Sequence, residues 1–251
     1  MLKAVLFDLD NTLIRFDERT FFESYIPKIL RVFVDIMPPD RFVENLLLAT
    51  STLVKNNGEI SNAEYFMKAF AKGYEGLGDE MWRRFIKFYE TDFDQFQALV
   101  SVTPGVREVF LRLKKMGLKL VIASNPIWPR TVQMKRLAWA GVGDLQFDLV
   151  TDVENMSYCK PRIEYYLEVC QKIDEKPSNC LMVGNDPVND LVVARIDMKT
   201  FLITDNAEVN DSALELSQRI RDESEIEIPA PDFTGSITDV PHIVEASLGD
   251  K

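Results

Sequence analysis

Histidine is all but missing from this chain: among its 251 residues there is one, His242, near the C-terminal end. That argues against a mechanism with a histidine base and against a metal held by several imidazoles. Cysteine is nearly as scarce. Cys159, Cys170 and Cys180 are odd in number and lack metal-ligand spacing, so they read as reduced thiols of a cytosolic protein. Positive charge is in deficit, with 29 Lys and Arg against 40 Asp and Glu and a net charge of −11. A surface of that sign repels nucleic acid and anionic membrane. It leaves room for a small anionic substrate where a metal ion and a few cations gather. No apolar run is long enough to span a bilayer. The N-terminus enters a strand pattern at once, without a basic stretch, a long apolar run and a small-residue cleavage site, so no signal peptide is expected. These absences predict a cytoplasmic protein with neither nucleic acid nor membrane as partner, a monomer or weak homo-oligomer. Its length suits one large domain or a core with an inserted module.

What is present is alternation. Short apolar runs at Ala4–Phe7, Leu118–Ala123, Phe147–Val150, Cys180–Val183 and Thr200–Ile203 are too short for helices and are bounded by polar or turn residues. They read as buried strands. Helical patterns separate them. Thr103-Pro104 reads as an N-cap with proline at the first helical position, followed by Val106, Val109, Phe110 and Leu113 and stopped at Gly117. Ile163, Tyr166, Leu167 and Cys170 form a second such face. The alternation predicts an α/β fold: a Rossmann-like open parallel sheet with helices on both faces.

The stretch from 16 to 98 breaks this rhythm and carries no strand signal. Phe22, Tyr25, Ile26, Ile29, Leu30, Phe33 and Met37 recur at helical steps up to Pro38-Pro39. Phe42, Leu46, Leu47 and Leu53 mark a second helix that ends near Asn56-Asn57-Gly58. Ser61-Asn62-Ala63-Glu64 is a capping-box pattern before a third, and Gly78-Asp79 opens a fourth with Trp82, Phe85, Ile86 and Tyr89. We expect an all-helical cap domain over 16–98, inserted into a catalytic core of 1–15 and 99–251. Hinges are expected near 14–18 and 95–103. The segment Asp222–Pro231 is expected to be a surface loop.

The chemistry gathers at strand ends. Ligands of an open parallel sheet bind beyond the carboxyl ends of its strands. The first strand ends in Asp8-Leu9-Asp10, two carboxylates that an extended backbone points the same way. Held close in a poorly hydrated cleft, they repel unless a cation lies between them or one stays protonated. The second long strand ends in Ser124-Asn125-Pro126, the third core strand is followed by Cys159-Lys160-Pro161, and the fourth runs into Asn185-Asp186-Pro187-Val188-Asn189-Asp190. A hydroxyl with backbone amides can hold a phosphate oxygen. A lysine can offset phosphate charge, and paired aspartates suit Mg²⁺. Each signal has a plainer reading: turns and helix N-caps for the aspartates and the serine, a solvated side chain for the lysine. Their joint occurrence in this order favours chemistry.

In that order, FDLDNTL, ASN, CKP and VGNDPVND resemble the four motifs of the haloacid dehalogenase-like hydrolase superfamily, and the resemblance runs from residue 4 to about 205. The helical insert is similar to the helical cap of that superfamily. The resemblance implies a Mg²⁺-dependent phosphomonoester hydrolase of small metabolites, with Asp8 as the nucleophile that becomes an aspartyl-phosphate and Asp10 as general acid/base. It implies Lys160 as the charge-offsetting catalytic lysine, with Thr12, Ser124 and Asn125 around the substrate phosphate. It places Mg²⁺ on Asp8, Asp10 through its backbone carbonyl, and an acid of the last motif. There the chain departs from the family, whose longer pattern has aspartate directly after the glycine. Here that place is Asn185, so Asp186 is the preferred ligand, with Asn185 and Asp190 as further candidates. Asp10 itself, absent from the dehalogenases of the superfamily, favours phosphoryl transfer. The alternatives are a phosphomutase of the same fold and a non-enzymatic phospho-acceptor or scaffold. Arg15, Arg19, Tyr25, Trp128 and Arg130 are candidates to reach a substrate, set against packing or solvated salt bridges.

Overall fold

The computed structural model describes residues 1–205 and 228–249. Its main sheet is parallel and six-stranded. In spatial order it runs β5 (Leu149–Val150), β4 (Lys119–Ile122), β1 (Ala4–Phe7), β6 (Cys180–Gly184), β7 (Lys199–Ile203) and β8 (Phe233–Gly235). The strand at its centre is the first in the chain. Side chains on an extended strand alternate between faces, and β1 is buried on both. Val5 and Phe7 pack with Val106, Phe110 and Leu113 of α5 (Val106–Lys115) on one side. Ala4 and Leu6 pack with Tyr165, Tyr166 and Val169 of α7 (Ile163–Lys172) on the other. Two buried faces explain why the run AVLF carries no polar alternation.

Register places the site. Phe7 lies beside Ile122 of β4 and Val183 of β6, so these strands end level with one another. Asp8 N donates to Val183 O at 2.9 Å and Ala123 N to Phe7 O at 2.7 Å, which carries the alignment one residue past the strands. Asp8, Ser124 and Asn185 therefore emerge along one edge.

Between β2 (Ile14–Arg15) and β3 (Ser101–Val102) every regular element is helical: α1 (Glu18–Leu30), α2 (Pro39–Thr52), α3 (Asn62–Phe70), α4 (Gly78–Thr91) and short 3₁₀ turns. β2 and β3 form a separate antiparallel pair, Ile14 opposite Val102, where the chain leaves and re-enters the core. The insert closes around an aromatic interior in which Phe33, Phe42, Phe70, Phe85, Phe93 and Phe96 are fully or almost fully buried. That interior continues into the core through Trp128, Val132 and Trp139. The ring of Trp139 stacks on Phe93 at 5.2 Å. Lys135 of α6 (Arg130–Trp139) donates to Glu90 O at 2.8 Å and to Asp94 at 2.7 Å. At the far end, Asn62 N donates to Met156 O and Ala63 N to Val153 O, at 2.8 and 2.7 Å. The Asn62 side chain is buried, donating to Tyr158 O at 3.1 Å and accepting from Asn56 Nδ2 at 2.9 Å.

Several expectations shift by a residue or more. α1 ends at Leu30, and the chain to Ile36 continues as turns closed by i→i+3 bonds such as Val32 N to Ile29 O. The β-branched Val32, Val34 and Ile36 and the approach to Pro38 disfavour a regular helix there. Its buried stripe runs through Phe21 rather than Phe22, which is exposed, as are Leu47 and Leu167. α5 begins at Val106 because Gly105, with φ 83°, takes the cap position in the left-handed region, where glycine is unpenalised. Thr103 instead accepts from Arg15 Nε at 3.3 Å. The expected capping box at Ser61 and Glu64 is present. β2, β3 and β8 were not expected. Of the expected loop Asp222–Pro231, residues 222–227 lie outside the described residues, and Ile228–Pro231 form neither helix nor strand. Among the described residues no helix is long and apolar enough to cross a membrane.

The buried Asn62 ties the insert to the core loop before α7. Asn62→Leu leaves the carbonyl of Tyr158 without this donor and takes from the Asn56 amide one of its two acceptors, the other being Ile60 O. It is expected to lower unfolding free energy by about 1–3 kcal/mol in urea titration.

Candidate active site

β1 ends by feeding a tight turn. Leu13 N bonds to Leu9 O at 2.9 Å, and Asn11 takes a left-handed φ of 53°, a conformation asparagine tolerates. The turn leaves Asp8 at the strand edge, nearly buried, and swings Asp10 toward α6. Thr12 is fully buried, and its Oγ1 donates to Asn185 Oδ1 at 3.1 Å, joining the first motif to the last.

Lys160 holds the centre. Its loop follows β5 and precedes α7, and its ammonium donates to Asp8 Oδ1 at 2.8 Å and to Asp190 Oδ1 at 2.7 Å. Lys160 and Asp190 are 4% and 1% exposed, so this is one cation shared by two carboxylates out of water. Burial acts to discharge Lys160, but Asp190 and Asp8 outweigh it and raise its pKa well above the usual lysine range. Burial likewise pushes the Asp190 carboxyl up to about 7, opposed by Lys160 and reinforced by Asp8 and Asp186.

The last motif is shaped by a glycine. A Cβ on Gly184 would stand 2.0 Å from Asp190 Oδ2, so only glycine lets this carboxylate fold back beneath the strand end. Asp190 Oδ2 accepts from Asp186 N at 3.1 Å. Asp186 is the N-cap of the one-turn helix α8 (Pro187–Asp190), accepting from Val188 N, Asn189 N and Asn189 Nδ2 at 2.8, 3.1 and 2.8 Å. The plainer N-cap role is thus present at Asp186, while Asp190 reaches Lys160.

On the other side of β1, Ser124 is anchored through its main chain: its carbonyl accepts from Thr151 Oγ1 at 2.7 Å and from Tyr165 OH at 2.9 Å. Its hydroxyl, the Asn125 Oδ1 and the Asp10 Oδ1 are buried without a hydrogen-bond partner among the described residues. Buried polar atoms of this kind are rare, and a ligand oxygen or water is the usual answer.

The candidates for substrate contact in the insert and the loop after Ser124 have structural partners. Arg15 reaches Thr103, and Arg19 pairs with Glu23 at the surface. Tyr25 OH lies 2.7 Å from Tyr89 OH, and Trp128 packs edge-on against Tyr25. Arg130 donates to Val150 O at 3.1 Å. One residue went unnoticed in the sequence. Arg136 of α6 is buried, and its guanidinium contacts the Asp10 carboxylate. Burial lowers its pKa to about 9, against the pull of Asp8. The signal was available: Val132, Arg136 and Trp139 fall on one apolar helical face, where an arginine needs a partner.

Among the described residues no group of three or more His, Cys, Asp or Glu side chains is disposed as a metal site. The donors at the edge are hard oxygens: the carboxylates of Asp8, Asp186 and Asp190, the Asn185 amide and main-chain carbonyls.

The haloacid dehalogenase-like hydrolase family model matches residues 2–195, and the chain belongs to that family. It is an enzyme of the hydrolase class, built on the expected parallel sheet with an all-helical insert. It is 27% identical over 196 residues to a glyceraldehyde 3-phosphate phosphatase of Methanothermobacter thermautotrophicus, covering 77% of this chain and 81% of that protein. It is 25% identical to a ribulose-1,5-bisphosphate 5-phosphatase of Halopiger xanaduensis, across 96% of this chain and 99% of that one. The fold is shared with a 2-haloacid dehalogenase of Pseudomonas syringae pv. Tomato at TM-score 0.60 and 19% identity, over 98% and 100% of the two chains. It is also shared with a HAD phosphatase of Thermococcus onnurineus at 0.55 and 18%, over 97% and 98%.

Removing the shared cation should expose the repulsion it masks. Lys160→Met is expected to cost about 3–5 kcal/mol in urea unfolding, the usual effect of leaving a buried charge unpaired. Adding Asp190→Asn to that variant should return part of the loss.

Proposed function

We propose that this chain is a Mg²⁺-dependent phosphatase of small phosphorylated metabolites that works through an aspartyl-phosphate on Asp8. The observation that carries the reading is the Asp8 carboxylate at the strand edge, with one oxygen taken by the buried Lys160 and a second acid two residues on. Oδ1 is occupied by the ammonium, so Oδ2 is the oxygen that attacks phosphorus. The P–O bond to the leaving group breaks, and Asp10 gives its proton to the departing oxygen. A water then attacks the phosphoryl group, losing its proton to Asp10, and inorganic phosphate leaves with Asp8 restored. Lys160 offsets negative charge on nucleophile and phosphoryl group together, and the unpaired Ser124 hydroxyl, with Asn125 next to it, can donate to a phosphoryl oxygen. Thr12 fixes the turn against Asn185.

The oxygen donor set, free of sulfur and imidazole, fits Mg²⁺. Asp8, the Asp10 carbonyl and Asp186 would hold it, with Asn185 and Asp190 as further candidates. When bound, it would supply positive charge against the phosphoryl oxygens.

The printed activities of the relatives support hydrolysis of a phosphoryl group, from esters in the two phosphatases and from an anhydride in a pyrophosphatase of Bacillus cereus, 26% identical over 185 residues. Asp10 argues the same way, as the acid a leaving alcohol needs. A cytoplasmic setting and small phosphorylated partners follow from this reading. The insert, tied down on the core, would exclude water during the first transfer.

A panel of phosphomonoesters with Mg²⁺ is expected to release inorganic phosphate. Asp8→Asn should lose about 10³-fold or more in kcat, and EDTA should abolish turnover until Mg²⁺ is restored. Isomerised sugar phosphate in place of free phosphate would assign a mutase, and no turnover of any ester would remove the enzymatic reading. Mg²⁺ should also raise the melting temperature, since it binds the folded state alone.

A further inference from the structure

Asp10 is the proton-transfer residue of the reading above, and the inference drawn here rests on that reading. An acid–base group on a surface turn must be aimed, and the turn alone does not aim it: the Asp10 side chain is 31% exposed, next to an open edge. A chain of buried groups stands behind it. The Arg136 guanidinium contacts the Asp10 carboxylate and lies 6.0 Å from the Trp128 ring. Its Nη1 donates to Gln133 Oε1 at 2.9 Å, and Gln133 Nε2 donates to Thr151 O at 2.9 Å. Thr151 Oγ1 in turn donates to the carbonyl of Ser124 at 2.7 Å. Gln133, Thr151 and Ser124 are fully buried, and Arg136 is 3% exposed.

We infer that Arg136 is a positioning residue, which stands against the Asp10 carboxylate as its ion-pair partner and, through Gln133 and Thr151, fixes it relative to the serine that faces the phosphoryl oxygens. The arrangement makes little sense as packing. Arg136 sits on an apolar helix face between Val132 and Trp139, where a methionine would fill the space without desolvating a charge. Its partner is the carboxylate assigned the proton transfers, and its strut ends on the residue beside the substrate site. Two motifs far apart in sequence are thereby held at one spacing, which is what in-line transfer followed by water attack requires.

The test uses p-nitrophenyl phosphate with Mg²⁺ on the full chain, with Arg136→Met, Arg136→Lys, Asp10→Asn and the Asp10→Asn/Arg136→Met double variant. Arg136→Met is expected to lower kcat about 10- to 100-fold, within the range acid–base groups contribute, while KM stays within about threefold. Arg136→Lys should recover part of the loss. The double variant should be no slower than Asp10→Asn, because two residues acting as one unit are not additive. A rise in KM with kcat unchanged, losses that multiply in the double variant, or an Arg136→Met enzyme as fast as the parent would each overturn the proposal. Should Arg136→Met fail to fold, Gln133→Leu carries the same test, with the same kcat-only loss expected on a smaller scale. An Asp10→Asn enzyme with full activity would instead overturn the acid–base reading beneath it, whatever the arginine variants do.

Discussion

One ammonium group between two carboxylates sets the terms for the rest of this molecule. Lys160 donates to Asp8 and to Asp190 in a space almost closed to water, and its charge opposes the effect of burial on the Asp190 carboxyl. The fold is arranged to make that meeting happen. Asp8 comes from the central strand, Asp190 from the turn after its neighbour β6, and Lys160 from the loop leading into α7, which packs across the same face. Level strand ends bring the acids to one edge, and the missing side chain of Gly184 lets Asp190 turn inward. An open parallel sheet offers such an edge at no extra cost, since its helices cover the faces and leave the carboxyl ends clear.

The charges form two sets on either side of β1. On the β6 side lie Asp8, Asp190 and Lys160; on the β4 side Asp10 meets Arg136, next to the unpartnered hydroxyl of Ser124. A chain of net negative charge thus buries a lysine and an arginine on either side of the carboxyl end of β1, each against a carboxylate. Asp186, by contrast, has no cation beside it among the described residues and caps the first turn of α8.

Much of the fold could be read from the chain because buried parallel strands leave continuous apolar runs. Ala4–Phe7 and Cys180–Gly184 are such runs, and the strand–helix rhythm around them fixed the class. The helical insert was equally legible, since aromatic residues recur at helical steps there. What failed to show was short or ambiguous. β8 has three residues and takes its place only by pairing with β7, and β2 and β3 have two each. Adjacent Phe21 and Phe22 offered two helical faces of equal appearance, and only packing against Phe93 and Phe96 selects Phe21. At the site, strand ends announced Asp8, Ser124, Lys160 and the last acids. Arg136 was marked only by its place on an apolar helical face with Val132 and Trp139, which asks for a partner without naming it; the fold supplies Asp10.

The knot of asparagines where the insert touches the core has a bearing on how the two parts of the chain are coupled. Asn62 and Ala63 are hydrogen-bonded to Met156 and Val153, and Asn62 also holds Tyr158, on the very loop that delivers Lys160 two residues later. The seam between the two parts of the chain therefore runs through the support of the buried Lys160. A disturbance at the start of α3 therefore passes directly into the loop that carries Lys160, without crossing the sheet.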